Sequence, residues 1–344
     1  MMADDSRWMA AALALAERGR GRTAPNPNVG CVLVHDGRVV GRGWTQPGGR
    51  PHAEAMALAQ AGDAARGSTA YVTLEPCAHA SPRGPACADL LVAAGVARVV
   101  AALRDPDPRT DGQGLARLAA AGVTVESGVL ADEARRRMAG WLTRRALGRP
   151  FVTLKLAMSL DGCIALASGE SRWITGPEAR AHAHLERSRH ELILVGRGTW
   201  AADRPALDVR LAGLADRSPA RVVLTTRHAG GQQGQRGWIP ARGRDDGVLE
   251  ITAPDRIATL PGDYLLIEGG ALTAAAFLRA DLVDRLLLYR APILIGGLPA
   301  LADLDLTALT EAQSRWQSVD ARRLGADRLE VYERSPCSPA SSAT

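Results

Sequence analysis

The residues best suited to do chemistry in this chain are one histidine and two cysteines, with a glutamate close by. They are His52 and Glu54 in a His-x-Glu segment, Cys77 directly after a proline, and Cys87. One imidazole and two thiolates can hold a zinc ion and leave its fourth position to water, as in catalytic zinc sites. Zinc lowers the pKa of such a water toward neutrality. Glu54 stands close enough to His52 in the chain to move the water's protons without being a ligand.

The spacing of these residues departs from the general zinc-deaminase signature, which is H-x-E followed by P-C-x-x-C. Nine residues, not two, separate Cys77 from Cys87. A simpler interpretation is open, since cysteine is often a small buried hydrophobe and a histidine can merely precede a helix. That interpretation suits Cys31, which lies within an apolar run. For the other residues, the combination of H-x-E with P-C favours zinc and the hydrolytic removal of an amino group.

The segments that must position these residues alternate between strand and helix patterns. Asp36-Gly37 is a turn signal between two apolar segments and predicts a hairpin. His52 begins an Ala-rich helix, and Cys77 follows a predicted strand; ligands at the ends of neighbouring elements are typical of an α/β site. The expected strands are 28–35, 39–44, 69–74, 98–103 and 123–125, and the expected helices are an N-terminal one with Trp8, Ala12, Leu15 and Ala16 on one face, 52–61, 88–94, 114–121 and 132–147.

A break at Gly148-Arg149-Pro150 divides the chain, because Gly and Pro end helices and a new apolar strand starts at Phe151. We therefore predict one α/β domain over 1–148, a second over 149–335, and a Ser/Pro/Ala-rich disordered tail over 336–344. In the second domain the expected strands are 151–158, 191–195, 221–225, 248–252, 264–268, 286–289 and 329–332, and the expected helices are 177–189 and 272–280.

The composition argues against several classes of protein. The 344 residues carry a mild net charge of +5, and no Lys/Arg-rich run resembles a nucleic-acid-binding arm. No stretch of about 18 apolar residues predicts a membrane span, and the acidic start of the chain is a poor signal peptide. Five widely spaced cysteines argue against a disulfide framework, so we expect a reducing, cytoplasmic setting.

Short motifs throughout the chain resemble the bifunctional deaminase/reductase family of riboflavin biosynthesis, from the N-terminal helix to about Tyr332. The motifs of the deaminase half are Pro25-Asn26-Pro27-Asn28-Val29-Gly30, His52-Ala53-Glu54 and Thr73-Leu74-Glu75-Pro76-Cys77-Ala78-His79. Those of the reductase half include Lys155-Leu156-Ala157-Met158-Ser159-Leu160-Asp161-Gly162, Gly196-Arg197-Gly198-Thr199 and Glu268-Gly269-Gly270.

The resemblance implies an α/β protein with a cytidine-deaminase-like three-layer domain followed by a dihydrofolate-reductase-like domain. It implies one Zn²⁺ per chain, NADPH, and a small phosphorylated pyrimidine as substrate. In the first implied reaction, 2,5-diamino-6-ribosylamino-4(3H)-pyrimidinone 5′-phosphate loses ammonia. In the second, its ribosyl chain is reduced to ribityl, which gives 5-amino-6-(5-phospho-D-ribitylamino)uracil.

The family usually has eight residues between the two cysteines, so the ninth residue here leaves the register of Arg83 open. A solvated loop arginine is the alternative for Arg83, and a turn residue between two prolines is the alternative for Asn26. By resemblance, the deaminase residues are the zinc ligands His52, Cys77 and Cys87, the proton carrier Glu54, the pyrimidine contacts Asn26 and His79, the loop residue Arg83, and Asp105 at the edge of the site.

For the reductase half, Arg187 and Arg210 offer planar guanidinium groups suited to a ribose phosphate. A solvated helix arginine is the alternative for Arg187. Glu268 and Asp161 are candidate acids, each with a structural role as its alternative, and Arg227 is a candidate for the NADP 2′-phosphate. By resemblance, the cofactor residues are Ala157, Trp173, Thr199, Asp203, Gly270, Ala271, Leu272, Thr273, Ala274, Ala275 and Ala276, and the substrate residues are Lys155, Ser171, Arg187, Leu207, Arg210 and Glu268.

Two other functions have to be weighed. A nucleoside or nucleic-acid deaminase with an accessory nucleotide-binding domain is opposed by the long loop between the cysteines and by the absence of a basic stripe. A non-catalytic, zinc-stabilised module is opposed by Glu54, because a structural zinc takes four protein ligands and needs no free carboxylate. The sequence leaves the oligomeric state open, with a homo-oligomer as one alternative.

Overall fold

The computed structural model describes residues 2–79, 84–225 and 247–335. Its backbone divides into two compact units, Met1–Ala146 and Leu147–Thr344. The division lies beside the break at Arg149-Pro150. The tail over 336–344 lies outside the described residues, as do Arg83 and Arg227.

The first unit is a five-stranded mixed sheet with helices packed on it. Strand β1 is antiparallel to β2 and to β3, whereas β3, β4 and β5 are parallel, in the order β2-β1-β3-β4-β5. Its elements are α1 (Met2–Ala16), β1 (Gly30–His35), β2 (Arg38–Trp44), α2 (Ala53–Ala61), β3 (Thr69–Val72), α3 (Cys87–Ala93), β4 (Arg98–Ala101), α4 (Gln113–Ala120), β5 (Thr124–Ser127), α5 (Ala131–Arg137) and α6 (Ala139–Leu147).

The predicted hairpin is confirmed, because β1 and β2 pair around Asp36 and Gly37. Both turn residues have positive φ (49° and 70°), as a two-residue hairpin turn requires. The N-terminal helix is also confirmed, but its buried face is shifted from the expected one: Ala12 and Ala16 are buried with Met9 and Leu13, whereas Trp8 and Leu15 are only partly buried.

Helix α2 lies unusually close to β2, because two glycines of β2 leave room for its backbone. A Cβ atom on Gly41 would fall 2.2 Å from the Ala57 carbonyl oxygen, and one on Gly43 would fall 2.0 Å from that of Ala53. Real Cβ atoms do not approach so closely. The two glycines therefore hold the start of α2, and with it His52, against the sheet.

The second unit is an eight-stranded sheet in the order β10-β9-β8-β11-β6-β12-β15-β14. Its first six strands in that order are parallel, and the last two are antiparallel. Strands β7 and β13 form a separate small ribbon. The elements are β6 (Phe151–Met158), β7 (Cys163–Ala165), α7 (Pro177–Arg187), β8 (Leu192–Gly196), α8 (Arg197–Asp203), β9 (Ala220–Leu224), β10 (Leu249–Ile251), β11 (Tyr264–Ile267), α9 (Ala271–Arg279), β12 (Arg285–Arg290), β13 (Leu298–Pro299), β14 (Trp316–Leu324) and β15 (Asp327–Arg334).

Several features differ from the sequence prediction, among them the short elements β7, α8 and β13, which were not predicted. The single helix expected over 132–147 is wrong, since α5 ends at Arg137 and α6 starts at Ala139. Gly140 lies two residues after the break, in the first turn of α6, and Met138 and Trp141 lie in the core of the first unit. Strand β14 was not predicted; it is an edge strand with mostly exposed, polar residues, so its sequence lacks the apolar pattern of a buried strand.

Among the described helices, none combines the length and the apolar character needed to cross a membrane.

Candidate active sites

The three candidate zinc ligands come from three different elements of the first unit. His52 immediately precedes α2, Cys77 lies in the loop after β3, and Cys87 is the first residue of α3. Their ligand atoms all lie within 4.8 Å of one another. The His52 Nδ1 atom is 3.2 Å from the Cys87 sulfur and 3.7 Å from the Cys77 sulfur.

This donor set fits a zinc ion. In a tetrahedral zinc site, bond lengths of about 2.3 Å to sulfur and 2.0 Å to nitrogen place the nitrogen and sulfur ligand atoms roughly 3.5 Å apart. The distances from His52 Nδ1 to the two sulfurs, 3.2 and 3.7 Å, lie on either side of that value. Hydrogen bonding from Cys87 and His52 lowers the pKa of the Cys77 thiol, whereas Cys77 raises the pKa of Cys87. Cys77 therefore favours the thiolate form, which is the form that ligates a metal ion.

Glu54 lies in the first turn of α2 and is only 3% exposed to solvent. It lines the same cavity as His52 and Cys77. Burial raises the pKa of Glu54 to about 6. A carboxyl group with such a pKa can both accept and release a proton near neutral pH, as a general acid/base requires.

The cavity in front of the cluster is also lined by three residues predicted to contact or border the substrate: Asn26, His79 and Asp105. The Asn26 amide nitrogen lies 3.0 Å from His52 Nε2 and donates to the Gly49 carbonyl, so this side chain also orients the ligand ring. His79 Nδ1 lies 3.3 Å from the Thr110 hydroxyl. Burial raises the pKa of Asp105 to about 6.

Glu75 has a structural role that the sequence motif did not reveal. Its buried carboxylate accepts four backbone N–H groups across the loop after β4 and the start of α4, at distances of 2.9 to 3.2 Å: those of Asp105, Gly112, Gly114 and Leu115. The carboxylate next to Pro76 and Cys77 therefore ties the loop that carries Asp105 to the zinc-ligand segment.

Three arginines that the sequence analysis did not select also line this cavity: Arg50, Arg109 and Arg145. Arg50 stands two residues before His52, a signal that could have drawn attention to it. No local motif marks Arg145, because it reaches the cavity from α6.

In the second unit, the structure brings three predicted substrate residues into direct contact. Arg187 donates to both carboxylate oxygens of Glu268, at 2.7 and 2.9 Å, and Lys155 Nζ lies 3.6 Å from the same carboxylate. Burial alone would raise the pKa of Glu268, but Lys155 and Arg187 lower it to about 2. The Arg187 guanidinium is thus already paired within the protein, and its binding of a ribose phosphate stays a prediction.

The segment 207–210 joins this cluster through its backbone. Arg187 also donates to the Asp208 carbonyl oxygen at 2.9 Å, and the Arg210 N–H donates to His184 Nδ1 at 3.2 Å. Leu207 is buried with a φ of 53°. The Arg210 side chain is 62% exposed, so its guanidinium is accessible to a ligand.

The predicted cofactor segment, Gly270–Ala276, covers the start of α9. A Cβ on Gly196 would lie 2.2 Å from Thr273 Oγ1, and one on Gly269 would lie 2.6 Å from Thr273 Cβ. The two glycines therefore let α9 begin close to the carboxyl ends of β8 and β11. The first N–H groups of a helix have no intrahelical acceptor and suit a phosphate, so this corner fits a dinucleotide.

The other predicted cofactor and substrate residues lie on separate elements. Ala157 is on β6, and Thr199 and Asp203 are on α8, which directly follows β8. Trp173 is 65% exposed, with the Arg180 guanidinium 4.6 Å from its ring. Within the described chain, no hydrogen bond or ion pair connects Ser171, Trp173 or Asp203 to Glu268.

Both units match models of known protein families. Residues 2–103 match the cytidine and deoxycytidylate deaminase zinc-binding region, and residues 150–329 match the RibD C-terminal domain. These matches and the solved relatives below confirm the predicted fold class.

Relatives of known function match along most of the chain. The riboflavin biosynthesis protein RibD of Escherichia coli is 43% identical over 328 residues, which cover 85% of this chain and 89% of the relative. The RibD protein of Aquifex aeolicus is 34% identical over 354 residues, which cover 96% of this chain and 98% of the relative. The solved structure of Acinetobacter baumannii RibD superimposes with a TM-score of 0.83 at 36% identity, covering 97% of this chain and 100% of that one.

The Thermotoga maritima diaminohydroxyphosphoribosylaminopyrimidine deaminase/5-amino-6-(5-phosphoribosylamino)uracil reductase also superimposes, with a TM-score of 0.83 at 30% identity and coverage of 97% and 99%. The zinc-compatible cluster of the first unit and the reductase-type second unit agree with these relatives. This chain therefore belongs to the RibD family, the bifunctional zinc-dependent deaminases and NADPH-dependent reductases of riboflavin biosynthesis.

Proposed function

We propose that the first unit removes the 2-amino group of 2,5-diamino-6-ribosylamino-4(3H)-pyrimidinone 5′-phosphate by hydrolysis. His52, Cys77 and Cys87 would hold a zinc ion, which supplies an activated water. The observation that carries the proposal is the buried Glu54 carboxyl beside a three-ligand cluster that leaves a fourth position open.

Glu54 would transfer protons in this reaction. Its carboxylate accepts a proton from the attacking water and passes it to the departing amine, so that ammonia leaves and a carbonyl remains. Asn26 and His79 line the same cavity and would orient the pyrimidine ring. Because Asn26 also contacts His52, this one side chain would both bind the pyrimidine ring and orient the imidazole of His52.

The second unit would reduce the product. NADPH supplies the hydride when it is bound, with its phosphates at the start of α9 and with Ala157, Trp173, Thr199 and Asp203 as further contacts. Lys155 and Glu268 would contact the sugar that is opened and reduced. Arg187 would hold the Glu268 carboxylate in place, and Ser171, Leu207 and Arg210 would bind the ribose phosphate.

A two-step assay on the purified chain tests this proposal. Ammonia release is measured with the diaminopyrimidine phosphate, and NADPH oxidation is then followed by absorbance. Glu54→Gln should retain zinc but lose ammonia release by about 10²- to 10⁴-fold, the usual contribution of a positioned general acid/base. NADPH oxidation with the deaminated substrate supplied should be unchanged.

Glu126→Gln serves as a control, because Glu126 is half exposed on β5 and pairs with Arg98 away from the cavity. The mechanism is wrong if Glu54→Gln releases ammonia at the normal rate with zinc bound.

A further inference from the structure

The cavity of the first unit has a buried zinc-ligand end and an arginine-rich mouth. Cys77 and Cys87 are 8% and 1% exposed, whereas the side chains of Arg109 and Arg145 are 63% and 42% exposed. Arg109 lies in the loop after β4, and Arg145 lies on α6. Arg50 lines the same cavity from the segment before His52.

A single buried carboxylate connects two of these arginines. Asp107, whose side chain is 6% exposed, accepts from Arg109 Nε and Nη2 at 3.0 and 2.6 Å, and it also accepts from Arg145 Nη2. Hydrogen bonding from Arg109 holds the pKa of Asp107 well below its ordinary value. The carboxylate is therefore ionised at neutral pH, and the three groups together keep one net positive charge.

The two guanidinium groups retain donors that the protein does not use. Within the described chain, Nη1 of Arg109 and both Nε and Nη1 of Arg145 have no protein acceptor. The Arg145 guanidinium lies 5.5 Å from the Trp141 ring, which lines the cavity and limits where that group can move. Fixed guanidinium groups with unused donors are well suited to a phosphate.

We propose that Arg50, Arg109 and Arg145, the last two held by Asp107, form the subsite that binds the 5′-phosphate of the deaminase substrate. This inference rests on the proposed deamination. The ring that reacts must reach the buried ligand cluster, and the phosphate at the other end of the ribose then lies toward the mouth. The arginine subsite makes the first reaction select the phosphorylated pyrimidine over its nucleoside.

The experiment compares ammonia release from the 5′-phosphorylated substrate and from its dephosphorylated counterpart, in wild type, Arg109→Gln and Arg145→Gln. Loss of one charge-assisted contact should lower kcat/KM for the phosphorylated substrate by about 10- to 100-fold, mainly through KM. For the dephosphorylated substrate kcat/KM should change less than about twofold, because that substrate never used the contact. Arg145→Lys should restore part of the lost kcat/KM, since it keeps the charge without the planar fork.

Arg117→Gln is the matched control, because Arg117 is similarly exposed on α4 but pairs with Asp89 and does not line the cavity. It should behave as wild type with both substrates. Zinc content and activity on the dephosphorylated substrate report that each variant is folded.

Two results would overturn the inference. Equal losses on both substrates would mean that the Asp107 cluster only supports the fold, and unchanged kcat/KM on the phosphorylated substrate would mean that the phosphate binds elsewhere. A failure of the proposed function is distinguishable from both, because wild type would then release ammonia from neither substrate.

Discussion

Carboxylates in this protein serve different purposes according to what surrounds them. Burial raises the pKa of Glu54 to about 6, although the neighbouring His52 acts in the opposite direction. The Glu268 side chain is 9% exposed, and two cations, Lys155 and Arg187, lower its pKa to about 2. The first can exchange a proton near neutral pH, whereas the second stays ionised and would interact with a ligand as a fixed negative charge.

The Glu268–Arg187 pair predicts a pH-dependent stability. Arg187→Met removes the bidentate partner of a buried carboxylate and should lower the free energy of unfolding by roughly 3–5 kcal/mol at pH 7. The folded pKa of Glu268 lies below its ordinary 4.5, so the pair stabilises the fold above about that pH. The stabilisation is lost as the pH falls toward 2, and the difference between variant and wild type should shrink accordingly.

Urea unfolding at pH 7 and pH 3 measures this difference. Arg210→Met is the control, since Arg210 is 62% exposed and lies 3.6 Å from Asp208; its loss should cost under about 1 kcal/mol. An Arg187→Met penalty that is the same at both pH values would contradict the linkage.

At the scale of elements, the first site is built where helices and loops meet the sheet closely. Glycines of β2 admit α2, and Gly114 admits the start of α4, since a Cβ there would lie 1.9 Å from the Pro76 carbonyl oxygen. Glu75 then receives the N–H groups at the start of α4. The zinc-ligand segment and the loop that bears Asp105 and Asp107 therefore behave as one packed unit.

This arrangement predicts the effect of Glu75→Gln. The amide keeps one acceptor oxygen and places an NH₂ against backbone donors, so at least one buried N–H loses its partner, which costs about 1–3 kcal/mol. Hydrogen exchange at Gly112 and Gly114 should accelerate, and ammonia release should fall while the variant still binds zinc. Exchange at these amides that stays as slow as in wild type would show that Glu75 does not hold the loop.

At the scale of the whole molecule, each unit has its own sheet and its own apolar core. Removal of zinc should therefore affect the two activities differently. A chelator should abolish ammonia release and lower the thermal stability of the first unit, because metal binding contributes to folding. NADPH oxidation with the deaminated substrate supplied should persist.

The chelator saturated with zinc beforehand is the control, and it should leave both activities intact. Loss of NADPH oxidation together with ammonia release would show that the second activity depends on the metal site.

Much of the fold was predictable because its signals are local. The Asp36-Gly37 turn, the strand after Pro150 and the helix after Gly270 each follow from residues within a few positions. The break between α5 and α6 has only a weak local signal, because Gly140 lies inside α6 and Met138 itself does not disfavour a helix. Met138 and Trp141 are buried in the core, and this packing depends on distant residues. The edge strand β14 was not predicted because its sequence has no apolar pattern. It is a strand only because it pairs with β15.

The candidate site shows the same division. His52, Cys77 and Cys87 could be selected from the chain because zinc requires particular donor atoms, and Glu54 because it stands two residues from His52. The nine-residue gap between the cysteines only lengthens a loop, which costs little. The partners of Glu75 lie 30 to 40 positions away, so its structural role was invisible.

The amino-acid sequence by itself determined the family, and it predicted the zinc ligands, the proton carrier and the two domains, because short motifs carry this information. Only the tertiary structure decided which charged groups face that chemistry. Arg109 and Arg145 lie far apart in the chain and meet at Asp107 because a loop and a helix pack together. Their effect depends on proximity and burial, which are properties of the folded chain and not of any segment.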